Sequence, residues 1–129
     1  MRTAQRTSAR HGGHYVLDAE VRNGQDGSDL VTAPWVDLSA DRAVTVDART
    51  ARPVTVTVER LNASLVAGTV GFVVLPDSGG FIAGWIDTPD LAKVGTAQIG
   101  PDAPASRFTG GQQAMFAVAG AAGDFTDSP

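Results

Sequence analysis

The chain contains no cysteine, so disulfides, thiolate metal sites and cysteine nucleophiles are all excluded. Lysine occurs once, at Lys93, and there are two histidines, His11 and His14. No apolar run approaches the length of a membrane-spanning helix. The amino-terminal "MRTAQRTSARHGG" is basic but has no apolar core after its arginines, so it does not read as a signal peptide. Basic residues number ten against fourteen acids, and Arg2, Arg6 and Arg10 fall in residues 1–13, which hold no acid. The remainder is therefore acidic, without a basic stripe, which argues against a nucleic-acid partner.

What is present is a globular balance, 43% hydrophobic and 19% charged over 129 residues. Gly, Val, Thr and Ala recur, a mixture that suits short strands and turns. "HYVLDAEVR" (14–22) alternates and predicts a half-buried strand, with Tyr15, Leu17, Ala19 and Val21 on one face. "NGQDGSD" (23–29) predicts a turn, and "LVTAPWVDL" (30–38) the returning strand. Pro34 has no N–H and places that strand at an edge or breaks it. "RAVTVDA" (42–48) and "RPVTVTVER" (52–60) show the clearest alternation and predict the best-formed strand pair, with Val54, Val56 and Val58 buried together.

Beyond residue 60 the pattern predicts strands over about 68–75, 79–87 and 94–100. "TPDLAK" (88–93) reads as a turn or one helical turn with Pro89 at its first position, and 101–111 as loop. "QQAMFAVAG" (112–120) reads as a last strand or a short helix. The fold class is all-β, an antiparallel sandwich, incomplete, with short hairpins and little helix. The organisation is a basic flexible tail over 1–13, a partial sandwich unit over 14–60 and a second β-rich unit over 61–129. An incomplete sandwich would leave uncovered strand edges open to self-association.

"VVLPDSGGF" (73–81) carries Asp77-Ser78-Gly79-Gly80, most of the setting of a chymotrypsin-like nucleophile. That chemistry needs a backbone N–H two residues before the serine, where Pro76 stands. It also needs a histidine, and both lie at the amino terminus. The stretch instead predicts a hairpin turn in which Gly79 or Gly80 takes positive φ. No catalytic residue, cofactor or metal is expected.

Other candidates have plain alternatives. His11 and His14 stand three apart, but Gly12 and Gly13 disfavour the helix that would join them on a metal. Asp26 and Asp29 could form a loose calcium site or a solvated turn. "NAS" at Asn62 fits a glycosylation sequon. Trp35 and Trp85 could form a carbohydrate- or peptide-binding platform, or belong to the core.

"GGHYVLDAEV" (12–21), "DLSADRAVTVDARTARPVTVTV" (37–58) and "VGTAQIGPDAPASRFTG" (94–110) resemble the non-catalytic region downstream of the protease domain in large secreted actinobacterial subtilisin-like serine peptidases. The spaced pattern from Asp47 to Val58 is the most specific part. The resemblance implies a prealbumin-like or carboxypeptidase-regulatory-like sandwich, an extracellular parent protein and a peptidase catalytic domain as neighbour. It also implies a piece of a longer architecture. Neither "HGT" nor "GTSMA" occurs, so no catalytic residue carries over. The expected function is a non-catalytic accessory β module; the alternative is a stand-alone carbohydrate- or peptide-binding module.

Overall fold

A computed structural model describes residues 2–4, 13–24, 27–76 and 79–119. Among these residues, eight strands build two sheets, as the sequence pattern predicts for an all-β sandwich. In chain order they are β1 (Arg2–Ala4), β2 (His14–Asn23), β3 (Gly27–Asp37), β4 (Arg52–Pro53), β5 (Ser64–Val74), β6 (Ile82–Thr88), β7 (Val94–Gln98) and β8 (Phe108–Ala117). One sheet has the order β1-β2-β3-β7-β4, the other β6-β5-β8.

β2 and β3 form the expected antiparallel hairpin. The register shifts once: Leu17 faces Ala33 but Tyr15 faces Val36, so Val16 opposes both Pro34 and Trp35. This β-bulge accommodates Pro34, which cannot donate to a ladder. On its other side β3 pairs in parallel with β7, from Ser28–Val94 to Thr32–Gln98, and this pairing stops short of Pro34. β3 is thus interior rather than an edge. β7, from the second of the two expected units, lies in the sheet of the first. Backbone order also begins earlier than expected, since β1 pairs with β2 from Arg2–Val21 to Ala4–Ala19; residues 5–12 fall outside the described set.

The expected pairing of 42–48 with 52–60 does not occur. Residues 41–47 have no regular structure, and Ala48–Thr50 form a 3-10 turn. Asp47 caps that turn, accepting a hydrogen bond from the Arg49 backbone N at 3.0 Å. Only Arg52 and Pro53 enter a ladder, and their partner is β7. Because Pro53 lacks an N–H, the pairing is short; the Val54 N–H then donates to the Val94 carbonyl at 3.0 Å. The alternation is still used. Val54 and Val56 are half-buried against Val70, Leu91 and Val94, whereas Val58 is exposed.

Between the sheets, Leu30, Phe72 and Val74 form one buried cluster, with Val16, Ile86 and Phe108 packed on it. Val70, Leu91 and Val94 form the second. β2 therefore turns Val16, Asp18 and Glu20 toward the opposing sheet. Its other face carries Ala19, which is buried with Val31 and Ala33 of β3. The stretch after β3 lies over that side: the Ala48–Thr50 turn packs on β3, and Ala51 approaches Gly95.

The chain passes from one sheet to the other through a 3-10 turn at Leu91–Lys93. Asp90 caps it by accepting from the Ala92 N at 3.1 Å, so Pro89 lies before the cap rather than in the first helical position. Leu91 is 3% exposed and rests on Gly68 of β5. A Cβ at Gly68 would stand 2.5 Å from Leu91 Cγ. β8 begins at Phe108, inside the stretch expected to be loop, and settles the strand-or-helix alternative as strand.

Gly68→Ala is expected to destabilise the protein by about 1–3 kcal/mol through overpacking. Leu91→Ala should cost about 2–5 kcal/mol through the cavity it leaves. The double variant should be more stable than the sum of the single costs, because the added methyl partly fills the space. Urea titrations of all four proteins check this, and strict additivity would separate the two sites.

Candidate functional site

β5 and β6 are joined through 75–81, the hairpin expected for "VVLPDSGGF". The Gly79 N–H donates to the Pro76 carbonyl at 3.2 Å, and both glycines hold positive φ, +87° at Gly79 and +76° at Gly80. Asp77 and Ser78 lie outside the described residues, as do His11 and Asp26. Asp29 accepts from the Asn23 side-chain amide at 2.5 Å. Among the described residues no group of three or more His, Asp or Glu is disposed to hold a metal. Asn62 is exposed in the turn before β5.

The two tryptophans do not share a platform. Trp35 lies at the β3 bulge, where its ring stacks on His14 with centroids 4.2 Å apart and planes 17° apart. Trp85 lies on β6 in the other sheet, 62% exposed. Strand parity explains the difference. Ile86 and Gly84 face the core, so Trp85 and Asp87 face outward.

The ladder registers build the outer face of the β6-β5-β8 sheet in rows. Asp87, Thr69 and Gln113 form one row; Trp85, Gly71 and Gly111 the next; Ala83, Val73 and Thr109 a third. The Thr69 hydroxyl donates to Asp87 Oδ1 at 2.7 Å. Gly71 is required at its position: a Cβ there would meet the Gly84 carbonyl and stand 2.7 Å from Trp85 Cβ. The middle row is consequently a bare backbone floor beside an indole. Together with Phe81, 73% exposed, the residues of these rows other than Asp87 bound a shallow depression of about 440 Å³.

This face contrasts with the outside of the larger sheet. There Val31 and Ala33 are covered; here Val73, Trp85 and Met115 are exposed. Among the described residues, no segment crosses the β6-β5-β8 outer face. Sequence reasoning flagged Trp85 but could not orient it. Its partners Thr69, Gly71, Asp87 and Gln113 were not anticipated, since they come together only through the register.

A second concavity opens at the end of the sandwich where β2, the β3 bulge and the β5–β6 connection meet. Its volume is about 570 Å³, and His14, Tyr15, Trp35, Phe81 and Asp18 help to line it. At the same end, Asp37 pairs with His14 across the ladder and accepts the Ser39 N–H at 2.9 Å. The Ser39 hydrogen bonds hold the Asp37 carboxyl below the usual carboxylate range, with His14 and Arg42 adding smaller attractions.

No protein-family model, curated protein or solved structure matches the chain.

A depressed folded-state pKa means that Asp37 stabilises the fold above its ordinary value of 3.8 and loses that contribution as pH falls through the lower folded value. Acid titrations of melting temperature should therefore decline below about pH 4, and Asp37→Asn should make the decline shallower. Identical acid slopes would show that the Ser39 bonds do not favour the charged form.

Proposed function

We propose that the chain is a non-catalytic binding module that seats a carbohydrate chain on the outer face of β6-β5-β8. The observation that carries this is Trp85: an indole left 62% exposed on a flat, glycine-floored strand face, with a hydroxyl, an amide and a carboxylate in the next row. A pyranose ring offers an apolar C–H face to an aromatic ring and hydroxyls at its edge to polar neighbours. Gly71 and Gly111 let a sugar ring approach the backbone beside the indole, and Asp87 and Gln113 reach its hydroxyls. Recognition of this kind needs no nucleophile or acid–base pair.

The resemblance of the three quoted stretches to the non-catalytic region of secreted subtilisin-like peptidases supports a role beside such a catalytic domain, outside the cell. There a module of this kind would hold the peptidase close to a polymer surface. Pro76, in place of an oxyanion-hole donor, supports the non-catalytic reading of the serine-containing turn.

Titration with soluble β-glucan and chitin oligosaccharides, followed by tryptophan emission, tests the site. The expected result is a saturable blue shift with at least one of them, and loss of affinity by about tenfold or more in Trp85→Ala. Trp35→Ala should retain binding. A flat response to the whole panel, or equal binding by Trp85→Ala, would overturn the assignment; saturation by unstructured peptides alone would make the face a peptide site instead.

A further inference from the structure

Each sheet ends in two edge strands, and an edge presents a row of unpaired backbone N–H and C=O groups that another strand can join. Among the described residues, three of the four edges carry something that discourages this. β1 is three residues long and includes Arg2; β4 is two residues long and includes Arg52 and Pro53; β6 carries Asp87. β8 is the exception. It runs for ten residues, "FTGGQQAMFA", with no charged residue and no proline. β5 pairs with one side of it from Ser64–Ala117 to Val74–Phe108, and no described strand pairs with the other side.

β8 also has empty positions that its own fold does not explain. A Cβ at Gly111 would meet nothing within 4 Å, and one at Gly110 would have the Gly71 carbonyl oxygen as its nearest neighbour, at 4.0 Å. Neither glycine holds a positive φ. A Cβ at Gly68, Gly71 or Gly84, by contrast, would collide with a neighbour. Phe108 and Ala114 pack on the core, so Gly110, Gln112 and Phe116 share their inner side, and Gly111, Gln113 and Met115 lie on the outer. Gly110 and Gln112 are nevertheless exposed. The sandwich is open along this side, and a recess of about 220 Å³ between the sheets reaches them. Met115, toward the other end of the strand, is 57% exposed.

The strand thus holds both halves of a contact, two small residues near one end and two large ones near the other. Antiparallel pairing of two copies about a two-fold axis at Gln113 sets Gly111 opposite Met115 on the outer side. The same register sets Gly110 opposite Phe116 on the inner side, at the mouth of the recess. Directly opposed residues stand about 4.5–5.5 Å apart, so each large side chain covers the space beside a glycine. The chain is net −4, and two copies meet here along a strip free of charge. We propose that β8 is the interface of a symmetric dimer, in which the β8 edges of two copies join their three-stranded sheets into one of six strands. A two-fold axis perpendicular to the sheet keeps both outer faces on one side, so the dimer presents two Trp85 faces on one surface. The pairing itself does not rest on carbohydrate binding.

Sedimentation equilibrium of the full chain, from micromolar to near-millimolar concentration, is expected to show a monomer–dimer equilibrium with no larger species. Gly111→Val fills the place of the other copy's Met115, and Gln113→Lys sets two ammonium groups together at the axis. Each should raise the dissociation constant tenfold or more and leave the melting of dilute protein nearly unchanged, as exposed substitutions usually do. Ile82→Lys, on the β6 edge, should leave association as it is. Because the chain has no cysteine, Gln113→Cys adds a single thiol, which should cross-link two copies under mild oxidation. Thr109→Cys, displaced from the axis, should cross-link far less. Should Gln113→Lys fail to fold, Gly111→Val, whose added atoms start in open space, decides. A monomer at every concentration, a dimer that folded Gly111→Val leaves intact, dissociation by Ile82→Lys, or equal cross-linking through positions 109 and 113 would overturn the proposal.

Discussion

The seating of Leu91 on Gly68 is the contact through which the two sheets are locked together. The chain leaves β6 in one sheet and must start β7 in the other within a few residues. Asp90 caps the intervening turn, and the turn points Leu91 back at β5, where only a missing side chain gives it room. Burying a leucine fully stabilises by about 1.5–3 kcal/mol, so this crossing fixes the spacing between sheets at one point. With Val94 held in the same cluster, β7 enters beside β3 in parallel, and Thr96 and Gln98 follow Val94 on the inner side. On the opposing sheet Val70, Phe72 and Val74 turn inward by the same alternation. Trp85 is then outward by necessity, because its neighbours Gly84 and Ile86 are inward.

The two outer faces have different fates for reasons that lie in the connections. Between β3 and β4 the Ala48–Thr50 turn packs back on the larger sheet, on the side where Val31, Ala33 and Ala19 are buried. The connections around the smaller sheet offer nothing equivalent among the described residues: the turn before β5 is short, and 75–81 closes a hairpin. Single exposed apolar side chains are ordinary on a protein surface. Val73, Trp85 and Met115 are different in sharing the outer side of one sheet, with Phe81, just before β6, bordering the same glycine-floored face. A surface of this kind marks contact with something outside the fold.

The alternating stretches that pair locally were legible in the sequence. "HYVLDAEVR" with "LVTAPWVDL", and "VGFVVL" with "FIAGWI", are antiparallel partners joined by turn-rich segments, and both hairpins form. "RPVTVTVER" shows where local pattern misleads. Its valines do face the core, but β7 occupies the position a hairpin partner would need, and Pro53 ends the ladder almost where it begins. The parallel β3–β7 pairing joins residues more than sixty apart in sequence, and nothing in either stretch specifies it. β8 was missed at its start because "FTGGQQ" has no apolar alternation; its glycines and glutamines are tolerated where one face is open and the other lies at the side of the core. For the candidate sites, residue type was visible and direction was not. Asp18 reads as a solvent-facing acid in an amphipathic strand, yet that side of β2 faces the second sheet, since Val16 on it packs against Phe72 and Val74.

The end cleft follows from a chemical limit on β3 rather than from a dedicated loop. Pro34 has no N–H, so a neighbour could not continue its ladder past this point without losing a bond. β7 accordingly stops at Gln98, opposite Thr32, with a last bond from the Ile99 N–H to the Thr32 carbonyl at 2.9 Å. Beyond it β3 keeps only β2 as a partner, and the bulge sets two residues against Val16. A bulge alters the alternation by one position, so Trp35 leaves the pattern of Val31 and Ala33, and its ring stacks on His14. The same proline that ends the parallel pairing thus opens the space and places an aromatic wall beside it. Replacing Pro34 would therefore act on the end cleft and on the pairing of β3 together.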